Sequence, residues 1–322
     1  MSNNTNEFGI NRDNINNNPV PPPAPVLDDD LNLESITDNN TVISNKKEVE
    51  IPEEITVTIE GTKPVIVLFG AKSSGKTMTL VRLARYLQEN GYVVTPNNTF
   101  RNSKSEAYDK ACQTFMNNLY SENAAESTKA IDFLLLDVFI KGGGPLVCRI
   151  LEAPGEHYFD ADDPEKEWLP YIYRIKNNRN YAKIWLFIVE LGAWTDRNIC
   201  DAYANKVARL SSGGNSKDKV IVMCHKSDEQ NKRGVMHHNN LPVYKEFRTA
   251  LGEQYGNIIK DNRTKHPITR LWRPYNFDFE VFTAGSFTVS PRTGKKTYVP
   301  SDDIYPRRLW NTINKAIRGS WF

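Results

Sequence analysis

Gly70-Ala71-Lys72-Ser73-Ser74-Gly75-Lys76-Thr77 decides the fold of this 322-residue chain. Glycine stands first and sixth, followed by lysine and a hydroxyl residue, which is the P-loop spacing. Pro64-Val65-Ile66-Val67-Leu68-Phe69 precedes it, a short apolar run that predicts a buried strand. Leu80, Leu83, Ala84 and Leu87 follow on one face of a helix that stops at Gly91. Strand, glycine loop and helix in that order predict a phosphate cradle rather than a chance turn. Main-chain N–H groups of the loop, from Gly70 through Ala71, Lys72, Ser73 and Ser74 to Gly75, make an anion nest at a helix N-terminus. Gly70 and Gly75 permit angles and approaches that a Cβ blocks. Lys76 brings a charge to the β- and γ-phosphates, the Thr77 hydroxyl is placed to ligand Mg2+, and Met78 carries the loop into the helix.

The length suggests about two domains, or one large α/β domain with tails. No apolar run approaches the roughly 18–20 residues of a membrane helix. No basic-then-apolar leader is visible, so a cytoplasmic location is expected. Cys112, Cys148, Cys200 and Cys224 are widely spaced within apolar segments and read as small buried hydrophobes. Charge divides unevenly: residues 1–54 carry eleven acidic and three basic side chains, and the remainder is net basic. The tail is Asn- and Pro-rich, too poor in apolar residues to offset chain entropy, and is expected to be disordered. Val26-Leu27 and Leu31 to Ile36 within it are a weak candidate docking peptide; a solvated tail is the simpler reading.

The folded body is expected over residues 55–322, with insertions near 98–127 and 286–300. Ile55 to Ile59 alternates like a strand. Ser103-Lys104-Ser105-Glu106 is a capping box opening a helix along Tyr108, Ala111, Cys112, Phe115 and Leu119. Ile131 to Ile140 and Leu146 to Glu152, separated by a triple-glycine turn, predict a hairpin. Asp163-Pro164 predicts a helix reaching Lys176 with a kink at Pro170. Strands at 184–189, 220–224 and 279–282 alternate with helices at about 199–210 and 242–254, and a last helix carries Leu309, Ile313, Ala316 and Ile317. This predicts a P-loop NTPase three-layer α/β sandwich, its sheet mostly parallel with one antiparallel hairpin strand.

Ligands in such sheets gather beyond the carboxyl ends of the strands. Those ends carry Glu152-Ala153-Pro154-Gly155-Glu156-His157, His225-Lys226-Ser227-Asp228 and Thr283-Ala284-Gly285. In this order the motifs resemble those of P-loop GTPases of the Ras-like and translation-factor class: D-x-x-G with Glu for Asp, [NT]-K-x-D with His for Asn, and a loose S-A-K without its lysine. The resemblance implies GTP and Mg2+ as ligands. Asp228 would accept from guanine N1–H and the exocyclic amine, which adenine cannot supply together. Lys226 would pack on the base beside His225. The Thr283-Ala284-Gly285 turn would turn the Ala284 N–H toward the guanine carbonyl. Gly155 would meet the γ-phosphate, and Glu152 would reach Mg2+ through water.

A switch threonine is implied before the hairpin; Thr128 stands there, with Thr99 as the alternative. Glu156 follows Gly155 where relatives carry a water-orienting Gln or His, so turnover is expected to be slow or partner-stimulated. His157 is the substitute candidate, although a surface histidine is the commoner reading. An arginine from a partner, or Arg101 in cis, would speed such chemistry. The expectation is a GTP-binding switch with a protein effector or activator. Two rivals stand beside it. In a P-loop ATPase, Asp137 after Phe133 to Leu136 would be the metal-holding acid. In a non-hydrolysing module, the departures at Glu152, Glu156 and Gly285 would mark lost turnover. His237-His238 lacks partners for a metal site. The Lys260-to-Arg273 basic stretch reads as a solvated loop, which makes nucleic acid an unfavoured partner.

Overall fold

The computed structural model describes residues 59–97, 99, 106–120, 133–212, 215–225, 241–265, 267–272, 274–289, 292 and 296–319. The N-terminal tail, residues 55–58 of the expected first strand, Arg101, Thr128, Lys226, Asp228, His237 and His238 lie outside them.

In chain order the first half runs β1 (Val65–Phe69), α1 (Lys76–Glu89), β2 (Tyr92–Pro96), α2 (Glu106–Tyr120), β3 (Leu134–Ile140), β4 (Leu146–Glu152), α3 (Gly155–Tyr158) and α4 (Pro170–Asn177). The second half runs β5 (Lys183–Glu190), α5 (Arg197–Ser211), β6 (Lys219–His225), α6 (Leu241–Gln254), α7 (Gly256–Asp261), α8 (Pro267–Trp272), β7 (Asp278–Val281), β8 (Gly285–Val289), β9 (Lys296–Pro300) and α9 (Ile304–Arg318). Seven strands form one sheet in the order β2-β3-β4-β1-β5-β6-β7. Only β3 runs against the rest: it pairs antiparallel with both β2 and β4, and every other pairing is parallel. Every residue of β1 is buried, as are nearly all of β5 and β6, so the sheet is covered on both faces. β1 lies at the centre because Val65 to Phe69 can bury both alternating side-chain sets.

The register sets the site. Leu68 pairs with Glu152, and Phe69 with Phe187, so the ends of β1, β4 and β5 meet where the glycine loop begins. Beneath that loop lies an aromatic floor. The Phe69 ring is 4.8 Å from Tyr158, 5.2 Å from Phe187 and 5.7 Å from Tyr203. Tyr158 thereby ties α3 to β1.

The structure departs from the sequence reading in several places. Tyr92–Pro96 forms a strand, β2, that the sequence reading passes over; it pairs Tyr92 with Ile140 and Pro96 with Leu136. The expected helix from Asp163 begins only at Pro170, which sits in the first helical turn behind Leu169. Residues 160–167 are mostly charged and offer no apolar face to bury, so they turn instead, with Lys166 N–H donating to the Asp163 carbonyl at 3.1 Å. The short helices α7 and α8 were not foreseen. The late hairpin, β8 with β9, starts at Gly285 and forms a separate two-stranded sheet. Cys148, Cys200 and Cys224 are buried and Cys112 is half-buried, all four as free thiols. Among the described residues, no helix is long and apolar enough to cross a membrane.

Candidate phosphate and base site

The loop between β1 and α1 has the backbone of an anion nest. Ser73 has φ +61°, the one non-glycine residue in the left-handed region among those described, and Gly75 has φ +89°. Lys76 folds back over the loop. Its Nζ donates to the carbonyls of Gly70 at 3.1 Å and Ala71 at 3.0 Å. Lys76 is 7% exposed, and burial lowers its pKa, opposed by Glu152 and Glu156. A buried cation whose hydrogen bonds among the described residues go to two loop carbonyls, at a glycine loop with left-handed backbone, is the electrostatic complement of a phosphate.

At the first turn of α1, the Thr77 hydroxyl donates to Glu152 Oε1, which β4 delivers from the neighbouring strand end. Glu152 is 2% exposed, and its other oxygen, Oε2, is buried without a hydrogen-bond partner among the described residues. Burial pushes its pKa up to about 7, against the pull of Thr77 and Lys76. An orphaned carboxylate oxygen beside a hydroxyl is a donor pair that fits a hydrated Mg2+ ion. Asp137 stands elsewhere. It pairs with Arg149, level with Val65 at the start of β1, about 13 Å before the end of that strand at ~3.3 Å per residue. Its carboxylate is taken up by Arg149 Nε at 2.9 Å and Asn97 Nδ2 at 2.8 Å.

Gly155 is packed on the loop. A Cβ there would stand 2.4 Å from Lys72 N and 2.5 Å from Ala71 C, so only glycine fits. Glu156 faces Lys72, with Nζ to Oε1 at 3.8 Å. His157 is no surface histidine: Nδ1 lies 3.0 Å from the Tyr171 hydroxyl, and its ring packs near Phe133 and Tyr171. Burial lowers its pKa to about 4, so it is neutral at physiological pH; Glu156 opposes this, and Lys166 and Lys76 add to it. Thr99 donates from its N–H and hydroxyl to Asn97 Oδ1, at 3.0 and 2.9 Å, which leaves it tied to the Asp137 side of the sheet edge.

His225 ends β6 and is 5% exposed. Its ring lies between the loop and β7: a Cβ on Gly75 would stand 2.4 Å from His225 Cε1, and the Phe282 ring is 5.7 Å away. Thr283 and Ala284, both buried, follow Phe282, whose N–H donates to the Cys224 carbonyl at 2.8 Å. The octet, the strand-end glutamate, His225 and the Thr283-Ala284 turn are therefore neighbours beyond the carboxyl ends of the strands. Sequence reasoning missed the residues that brace the last motif. The Ala284 carbonyl accepts from the Tyr298 hydroxyl and from Ser301 N–H at 3.0 Å, and Arg82 of α1 donates to the Ser301 carbonyl at 2.7 Å. The missed signal was an arginine at a buried position of the first helix.

No family model and no curated protein sequence matches the chain. Among solved structures it is similar to Roco2 RocCORdC of Methanosarcina barkeri bound to GDP, at 11% identity and TM-score 0.35, over 82% of this chain and 53% of that one. It is similar to putative nucleolar GTP-binding protein 1 of Plasmodium falciparum, at 11% identity and TM-score 0.37, over 81% and 90% of the two chains. It is also similar to the signal recognition particle receptor SRb-GTP/SRX complex of Chaetomium thermophilum, at 12% identity and TM-score 0.33, over 80% and 99%. The chain spans about half the length of the Roco2 chain. At these scores the likenesses carry no argument, and the assignment rests on the molecule's own topology. With a P-loop leaving the central strand and a single antiparallel strand beside the β4 edge, the chain has the α/β fold of P-loop NTPases, its hairpin placed as the resemblance to P-loop GTPases implies.

Proposed function

We propose that this protein binds GTP with Mg2+ and acts as a nucleotide-dependent switch whose hydrolysis is slow or partner-stimulated. One observation carries the reading most of the way: Thr77 and Glu152 meet beside a buried Lys76, and Glu152 keeps one oxygen unpartnered among the described residues. Thr77 and Glu152 would hold the metal, Glu152 through water. Bound Mg2+ would neutralise charge on the β- and γ-phosphate oxygens. The loop N–H groups and Lys76 grip the phosphates and exchange the Gly70 and Ala71 carbonyls for a stronger anionic partner. Gly155, seated on Ala71 and Lys72, would be displaced or reoriented toward a γ-phosphate, and that movement is the switch. For the base, Asp228 is assigned the purine-selecting contact, Lys226 the stacking one and Ala284 N–H the guanine carbonyl.

Two contacts support slow turnover. Glu156 is oriented toward Lys72, and a carboxylate near a triphosphate is repelled. His157 is held by Tyr171 through Nδ1 and packs near Phe133, and its neutral imidazole near pH 7 lacks the positive charge that would favour a triphosphate. Neither side chain is set to orient an attacking water, so an added group from a protein partner would be needed for fast hydrolysis. The same contacts favour the non-hydrolysing module as second reading. Nucleotide identification in the purified protein, with and without Mg2+, tests the binding claim. Phosphate release in a single turnover separates the two readings: slow release supports the switch, and none supports the module.

A further inference from the structure

Beyond the proposed ligand contacts, the structure holds a brace between the phosphate end and the base end of the site. The Ala284 carbonyl is gripped from two sides, by the Tyr298 hydroxyl and by Ser301 N–H at 3.0 Å. Tyr298 is 3% exposed, and burial raises its pKa, so the hydroxyl stays protonated and donates. Both grips lead back to α1. Arg82, 3% exposed, donates to the Ser301 carbonyl through Nη2 at 2.7 Å and Nε at 3.2 Å, and pairs with Asp303. One turn on, the Arg85 guanidinium lies 5.3 Å from the centre of the Tyr298 ring. The hairpin is seated tightly: a Cβ on Gly285 would stand 2.2 Å from the Val299 carbonyl oxygen, and Gly285 has φ +133°. On the other side of the turn, Phe282 N–H is bonded to Cys224. Only Thr283 and Ala284 lie between these two anchors, so the direction of the Ala284 N–H is set at both ends.

We infer that Tyr298 is a positioning residue for purine recognition. With Ser301, and backed by Arg82 and Arg85, it holds Ala284 so that its N–H meets the carbonyl oxygen at C6 of a guanine. The late hairpin thus serves the base site, and the helix that carries Lys76 and Thr77 also sets the base-reading turn. This rests on the guanine-nucleotide reading above.

The test compares wild type with Y298F for binding of GDP, IDP and the diphosphate of 2-aminopurine riboside. The first two present an oxygen at C6 and the third does not. Y298F keeps the ring under Arg85 and removes the one hydroxyl. Expected is a loss of about tenfold for both GDP and IDP, the size of one buried hydrogen bond, with 2-aminopurine binding unchanged within about twofold. Equal loss for all three, or no loss for any, overturns the positioning role. Failure of the wild type to bind GDP is a separate result and overturns the functional reading itself. Should Y298F not fold, R85M, which leaves the hydroxyl in place and removes the cation from its ring, is read by the same three ligands and the same selective pattern.

Discussion

The ring of His225 lies against the backbone of Gly75, so that a Cβ on the glycine would stand 2.4 Å from Cε1 and 2.6 Å from Nδ1. The end of β6 and the phosphate loop are therefore one packed unit, and Gly75 must hold φ +89° besides. Gly75→Ala adds both a clash and left-handed strain, together about 1–3 kcal/mol. It should weaken GDP binding about ten- to hundredfold in a fluorescence titration. In G75A/H225A the clash is relieved and only the strain remains, so a double-mutant cycle should show coupling above about 0.5 kcal/mol. Additive effects would mean that the ring does not constrain the loop.

Glu152 and Asp137 are competing candidates for the metal-holding acid, and their surroundings differ. Glu152 touches Thr77 and keeps a buried oxygen unpartnered among the described residues, whereas Asp137 is taken up by Arg149 and Asn97. Thr77→Ala and Glu152→Ala should each cut the Mg2+-dependent part of GTP affinity by about ten- to hundredfold. Asp137→Ala should leave it within about twofold but lower stability to urea by about 2 kcal/mol, because Arg149 would remain half-buried without its carboxylate. The reverse pattern would return the metal to Asp137.

His157 should shape the acid limb of stability. Its pKa falls from the ordinary 6.5 to about 4, chiefly through burial. The unfolded chain therefore takes up the proton first. The stability involved is fully present above pH 6.5 and is lost as the pH falls toward 4, by up to about 3 kcal/mol. Urea unfolding of wild type and H157Q between pH 7 and 4.5 should show a shallower decline in the variant. Identical slopes would mean that the histidine is solvated.

How much of this was legible follows burial. Val65 to Phe69 and the octet after it carry their own strand and loop signals, because a fully buried strand must be apolar throughout and a left-handed loop must have glycine. The hairpin of β3 and β4 was marked by three glycines between two apolar runs. Tyr92–Pro96 escaped because it is a five-residue strand, ends in proline and is buried at only one position, Val94. Asp163-Pro164 carried a sound helix-start signal with no apolar face behind it, and tertiary packing decided against it. Neighbours such as His225 beside Gly75, or Arg82 reaching Ser301, connect residues 150 and 219 positions apart. No local pattern encodes such contacts; they appear only once the parallel strands fix which ends meet.

The central claim is a main-chain phosphate cradle joined to a purine-selecting acid, and competition between nucleotides tests it most directly. With a fluorescent GDP analogue bound to the purified protein in Mg2+, unlabelled GTP and GDP should displace it at least about a hundredfold more effectively than ATP or ADP, since adenine cannot supply the donor pair that the carboxylate assigned to the base would accept. Asp228→Ala should erase most of that difference while the Lys76 and loop contacts to phosphate remain. Equal displacement by ATP and GTP in the wild type would contradict the account.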